Sequence, residues 1–108
     1  MESRIQELID KCNRKMAENE NMRKEVESLK KTFNFDLGTE RYSMKLENAV
    51  IGDFKPEFAE NADVVVTTTV EYFQQLLDGD LRPMRAYVTK KVTIKGKIQD
   101  LMFLKKFF

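Results

Sequence analysis

Between Asp63 and Phe108 the sequence alternates strand-forming and helix-forming runs with almost no linker, and this order constrains the fold more than any other feature. Asp63-Val64-Val65-Val66-Thr67-Thr68 is a β-branched run that suits a pleated, mostly buried strand. Thr68 stands three residues before Glu71, the spacing of a capping box, which predicts a helix starting there. On that helix Val70, Phe73, Leu76 and Leu77 share one face, and Glu71, Gln74, Gln75 and Asp78 the other. Gly79, free to take a positive φ, ends it. Pro83 opens a second short helical piece carrying Met84, Tyr87 and Val88, because proline fits a first helical turn. Val92-Thr93-Ile94 then reads as a strand that Gly96 breaks, and Ile98 to Phe108 as an apolar closing helix.

The earlier chain reads in simpler blocks. Ser3 and Gln6 have capping-box spacing, and Ile5, Leu8, Ile9, Cys12 and Met16 fall on one helical stripe. Met22, Val26 and Leu29 keep helical spacing on a rotated stripe, so a bend is expected near Asn19 to Asn21. Phe33, Phe35 and Leu37 alternate with Asn34 and Asp36, and Tyr42, Met44 and Leu46 alternate with Ser43, Lys45 and Glu47. Leu37-Gly38-Thr39-Glu40 lies between these runs, which makes a hairpin. Ala49 to Phe54 makes a third strand, with Gly52 marking either a bulge or room for a ligand beside the backbone. Lys55 to Ala62 is a loop. The sum is an α+β domain: a single five-stranded, mostly antiparallel sheet with helices packed on it. Residues 1–31 form a helical region, 32–54 a three-stranded meander and 63–108 the strand-helix-helix-strand-helix part, all within one domain spanning 1–108.

Gly79, the Ala86-Tyr87-Val88 turn, Val92-Thr93-Ile94-Lys95-Gly96 and the terminal amphipathic helix, in that order, resemble the sterol carrier protein type 2 family of lipid-binding domains. The likeness is densest from Asp63 to Leu104 and stays in step back to about Phe33. Two positions depart from the family pattern. Lys90 stands where the family usually has a glycine, so the turn out of the Tyr87 helix must be made differently. Lys97 stands where a short polar helix cap is common.

Charge and composition narrow the function. A net charge of +1 hides an asymmetry: Arg82 to Phe108 holds Arg82, Arg85, Lys90, Lys91, Lys95, Lys97, Lys105 and Lys106 against the single acid Asp100. Such a face is either a set of solvated lysines or a surface for something anionic, such as a membrane or a phosphate head. With no histidine and one cysteine, Cys12, the chain has no thiolate–imidazole pair and no Cys/His zinc site. Its four glycines are scattered, so no phosphate-binding loop forms. Asp78-Gly79-Asp80 reads as a helix end rather than as paired catalytic carboxylates. Catalysis is not expected, nor is a cofactor or a metal. Nucleic-acid binding is not expected either, since Tyr87, Phe103, Phe107 and Phe108 lie on helices with core-like spacing. The Met-Glu-Ser-Arg start has no apolar leader, no apolar run approaches a bilayer span, and Lys106-Phe107-Phe108 is no peroxisomal signal, so a cytoplasmic protein is expected.

Apolar residues nearly encircle the last helix: Ile98, Leu101 and Met102 point one way, Phe103 and Phe107 almost the other. An empty apolar cavity of ~300 Å³ would cost up to ~7 kcal/mol, comparable to the whole stability of a small domain, so a tunnel here is expected to be collapsed, breathing or occupied. The family resemblance implies an apolar tunnel between the sheet and the C-terminal helices. Phe73, Leu77, Met84, Tyr87, Val88, Ile94, Ile98, Leu101 and Met102 are its expected lining. Arg82, Arg85, Lys90 and Lys97 are the expected contacts for an anionic lipid head or a transient anionic membrane surface. The expected ligand is a hydrophobic lipid: a fatty acyl chain, its coenzyme A thioester, an isoprenoid or a sterol. The alternative is an interaction module, such as a homodimer, that packs its apolar C-terminal helix on a partner.

Overall fold

In the computed structural model, which describes residues 1–96, alternation in the Phe33 run sets up the whole sheet. Strand β1 (Lys31–Asp36) sends Phe33 and Phe35 to one face, with their rings stacked 6.5 Å apart. Antiparallel β2 (Arg41–Glu47) sets Met44 opposite Phe33 and Tyr42 opposite Phe35. β4 (Val64–Thr67) lies parallel to β1 on its other side and adds Val64 and Val66 to the same face. β5 (Thr93–Lys95) pairs antiparallel with β4 and adds Ile94. With β3 (Val50–Lys55) beside β2, the order is β3-β2-β1-β4-β5, an α+β fold with one mixed and mostly antiparallel sheet.

Helices cover the apolar face. α1 (Glu2–Glu18) buries Ile5, Ile9, Cys12 and Met16, and α3 (Val70–Asp78) buries Phe73 and Leu76. The expected bend falls at Asn19, whose side chain accepts from the Met22 amide and caps α2 (Glu20–Val26). Two caps lie elsewhere than the spacing predicts. Ser3 is inside α1, whose N-cap is Met1 without a side-chain bond. The cap of α3 is Thr69, which accepts from the Tyr72 amide at 3.1 Å. Thr68, one residue earlier, is buried and donates its hydroxyl to the Lys91 carbonyl at 2.8 Å. Adjacent threonines offer the same hydroxyl, and the tertiary bond takes one of them.

Two asparagines close backbone that strands alone would leave open. Asn13 on α1 donates to the Ile51 carbonyl at 2.9 Å and accepts from the Ile51 amide at 2.7 Å, covering edge strand β3. Asn34, buried on the sheet's other face, makes the same two-pronged pair with Ala59 and holds the 56–62 loop across that face. Strand β3 also carries a bulge between Gly52 and Lys55. The left-handed residue there is Asp53 (φ 53°), not Gly52, and its carboxylate lies 3.6 Å from Lys45 and 3.4 Å from Lys55.

Candidate lipid-binding surface

The geometry of interest is built around α4 (Pro83–Val88). Its anchors are few. Leu81 before it, Ala86 within it and Val92 after it are buried, and Ala86 is the one helix residue fully out of solvent. The Ala86 carbonyl accepts from the amides of both Lys91 and Val92, and the Thr68 hydroxyl clamps the Lys91 carbonyl to the end of β4. A helix held on one alanine turns its other side chains outward. Met84 and Val88, four residues apart, straddle the side opposite Ala86, with Tyr87 and Arg85 on the flanks. Accordingly Met84 and Tyr87 are each 41% exposed and Val88 is 73% exposed. Polar-out patterning is inverted on this helix.

The turn after α4 shows how the chain accommodates Lys90. Lys90 donates to the Tyr87 carbonyl at 3.2 Å and Lys91 to the Ala86 carbonyl at 2.8 Å, the bond pair of a Schellman motif. Lys90 takes φ 62° in it. Lysine therefore occupies the left-handed position that suits glycine, so the expectation of a differently made turn is corrected. Helix α3 ends in the same motif with Gly79 at φ 81°.

Arg82, Arg85, Lys90, Lys91 and Lys95 are all exposed, and among the described residues none of them forms an ion pair. The Lys91 ammonium lies 5.6 Å from the centre of the Tyr72 ring, a contact between α3 and the basic turn that hydrophobic spacing cannot show.

The other expected lining residues divide. Phe73 is 1% exposed and meets Phe35 edge-on at 6.0 Å, in the core between α3 and the sheet. Ile94 is half-buried on the sheet's helix-covered face. Leu77 is half-buried toward α1, in a groove of about 150 Å³ with Arg4, Glu7, Leu8 and Lys11. Lys97, Ile98, Leu101 and Met102 lie outside the described residues. Among the described residues no group of three acidic or thiol side chains could hold a metal ion, and no helix is long and apolar enough to cross a membrane.

The sequence matches the SCP-2 sterol transfer family over residues 9–108. This chain belongs to that family. No curated protein sequence matches it. Among solved structures, sterol carrier protein 2 is 20% identical with a TM-score of 0.66, over 93% of this chain and 89% of that one. The palmitated SCP2L2 from Aedes aegypti is 15% identical with a TM-score of 0.65, over 92% of this chain and 88% of that one. A region of the inverting sec-alkylsulfatase Pisa1 from Pseudomonas sp. is 19% identical with a TM-score of 0.62. There the match takes in 79% of this chain but 13% of the sulfatase, so the SCP-2 chain spans a small part of that enzyme's length. At these identities the structures speak for the fold, and the family match places the SCP-2 chain among lipid-binding and lipid-transfer domains in general.

Proposed function

We propose that this chain is a non-enzymatic carrier domain that binds one hydrophobic lipid in an apolar tunnel between its sheet and its C-terminal helices. The observation that carries the reading is the inverted helix α4, which turns Met84, Tyr87 and Val88 outward in a chain of a lipid-transfer family. Phe73 and Ile94 back the site from the core side, and Ile98, Leu101 and Met102 complete the lining. Arg82, Arg85, Lys90 and Lys97 hold the anionic head. An acyl chain suits this arrangement, and a palmitated relative supports that class. Coenzyme A thioesters, isoprenoids and sterols belong to the same apolar set. Each methylene taken from water contributes roughly 0.8 kcal/mol, so ten of them supply about 8 kcal/mol against an association cost of about 4–15 kcal/mol, and a longer chain offsets more of it.

The test is native mass spectrometry of the purified protein, followed by organic extraction and titration with palmitoyl-coenzyme A. A co-purified lipid, or saturable uptake of the added thioester, is expected. Tyr87→Asp, at a partly exposed position, is expected to fold and to lose uptake. If the wild-type protein carries no lipid and takes up neither the thioester nor an isoprenoid, the carrier reading fails.

A further inference from the structure

From Leu81 to Gly96 the chain carries five cations and no acid, and the same segment displays the apolar side of α4. We infer that this segment is a membrane-docking surface, in which Met84, Tyr87 and Val88 enter the headgroup layer of an anionic bilayer while Arg82, Arg85, Lys90, Lys91 and Lys95 contact its phosphates and carboxylates. The inference deepens the carrier reading, on which its purpose rests: a tunnel whose mouth lies at this helix would load and unload against the membrane.

Two features of the surface select a bilayer as the occupant. The first is the chemistry of the patch. An interfacial element combines a modest apolar side with a basic surround, and tyrosine is enriched at headgroup depth. α4 has that composition, with Val88 the most exposed large apolar side chain among the described residues. The second is the state of the charges. Elsewhere several cations are matched to acids, among them Arg4 to Asp78 at 2.6 Å, Lys24 to Glu20 at 3.3 Å, Lys30 to Glu47 at 3.7 Å, and Lys45 and Lys55 to Asp53. Around α4 no such pairing occurs among the described residues. Asp78, close in sequence, is engaged by Arg4, and Asp80 lies ahead of the segment, before Leu81. Unpaired cations keep their attraction for an external anionic surface, worth about a five-fold gain in binding for each basic residue near it. Neither signal suffices alone. Six helical residues bury too little for stable insertion, and lysines alone would bind any polyanion.

The experiment is co-sedimentation of the full chain with vesicles of phosphatidylcholine alone or with 30 mol % phosphatidylserine (on the order of the anionic content of a cytoplasmic leaflet), at low and high salt. Uptake of palmitoyl-coenzyme A is measured in parallel without vesicles. Binding to the phosphatidylserine vesicles only, weakened by salt, is expected. Val88→Asp is expected to abolish it. Lys91→Gln with Lys95→Gln is expected to weaken it by about 25-fold while uptake from solution and circular dichroism stay unchanged. Equal binding to both vesicles, or binding indifferent to both variants, overturns the inference. Absence of vesicle binding with intact uptake overturns the docking surface alone, whereas vesicle binding without uptake overturns the carrier and leaves the surface standing. A dimer in sedimentation that Val88→Asp dissociates, with no vesicle binding, makes a second copy the occupant and also overturns it.

Discussion

Lys90 holds a left-handed backbone angle that costs an L-residue about 1–2 kcal/mol. Glycine removes that cost and returns part of it as unfolded-chain entropy, so Lys90→Gly is expected to stabilise by about 0.5–1 kcal/mol. Gly52 is the reverse case. Its φ is not positive, and a Cβ built there meets nothing within 4 Å, so Gly52→Ala is expected to stabilise by about 0.4–1 kcal/mol. Thermal melts read both, and a lowered midpoint for either contradicts the assignment. Burial pushes the Cys12 thiol from 9.0 up to about 11, against the pull of Lys15 and Lys11. Burial, and then the hydrogen bond to Glu40, push Tyr42 from 10.0 up to about 12. Both groups are held in their protonated forms by folding. Their contribution is complete below the unfolded values, and it is lost as pH rises from 9 through 11 for Cys12 and from 10 through 12 for Tyr42. Denaturant midpoints should therefore decline above pH 9, and Cys12→Ala should flatten the first part of that decline despite a lower midpoint at neutral pH. The left-handed angle at Lys90 left no mark in the residue types. Burial of Cys12 did, because its period with Ile5, Ile9 and Met16 is set by the helix itself.

At the scale of elements, what was legible is what depends on spacing along one chain segment. The alternation of Phe33, Phe35, Tyr42, Met44 and Leu46 predicts a hairpin, and the Phe33–Met44 and Phe35–Tyr42 registers follow from it. The bend at Asn19, the glycine end of α3 and the proline start of α4 were equally local. What was not legible depends on a partner distant in sequence. Thr68 gave up its cap position to a bond with Lys91, and Asn13 and Asn34 read as ordinary polar positions until Ile51 and Ala59 are set beside them. Replacing Asn13 with alanine leaves both polar groups of Ile51 to find other partners at a half-buried edge. A loss of about 1–3 kcal/mol is expected, with faster hydrogen exchange at the Ile51 amide than at β1 amides. Uniform acceleration across the sheet would mean that the asparagine supports global stability rather than this edge.

The whole molecule joins a core packed on one sheet face to a helix, α4, that contributes almost nothing to that core. The candidate site was legible to the extent that it is a sequence segment: the basic run and the apolar positions of α4 are both there to be read. How the side chains divide was not. Helical spacing groups Phe73 and Leu77 on one face of α3, but the structure puts Phe73 against Phe35 and turns Leu77 to α1. The exposed apolar side chains of α4 and the residues that hold the fold are therefore largely separate, and that separation sets up a thermodynamic test of the proposed site. A ligand that binds the folded chain alone stabilises it by about 2.7 kcal/mol at a hundred times its dissociation constant. For a domain of this size that amounts to a rise of about 10 °C or more in melting temperature. Palmitoyl-coenzyme A should produce that rise in the wild-type protein. In Tyr87→Asp the ligand-free melting temperature should be nearly unchanged, because Tyr87 lies outside the buried core, while the rise disappears. A ligand-free melting temperature that falls as far as the ligand-dependent rise would place Tyr87 in the fold rather than in the site. A rise that survives the substitution would move the ligand away from α4 altogether.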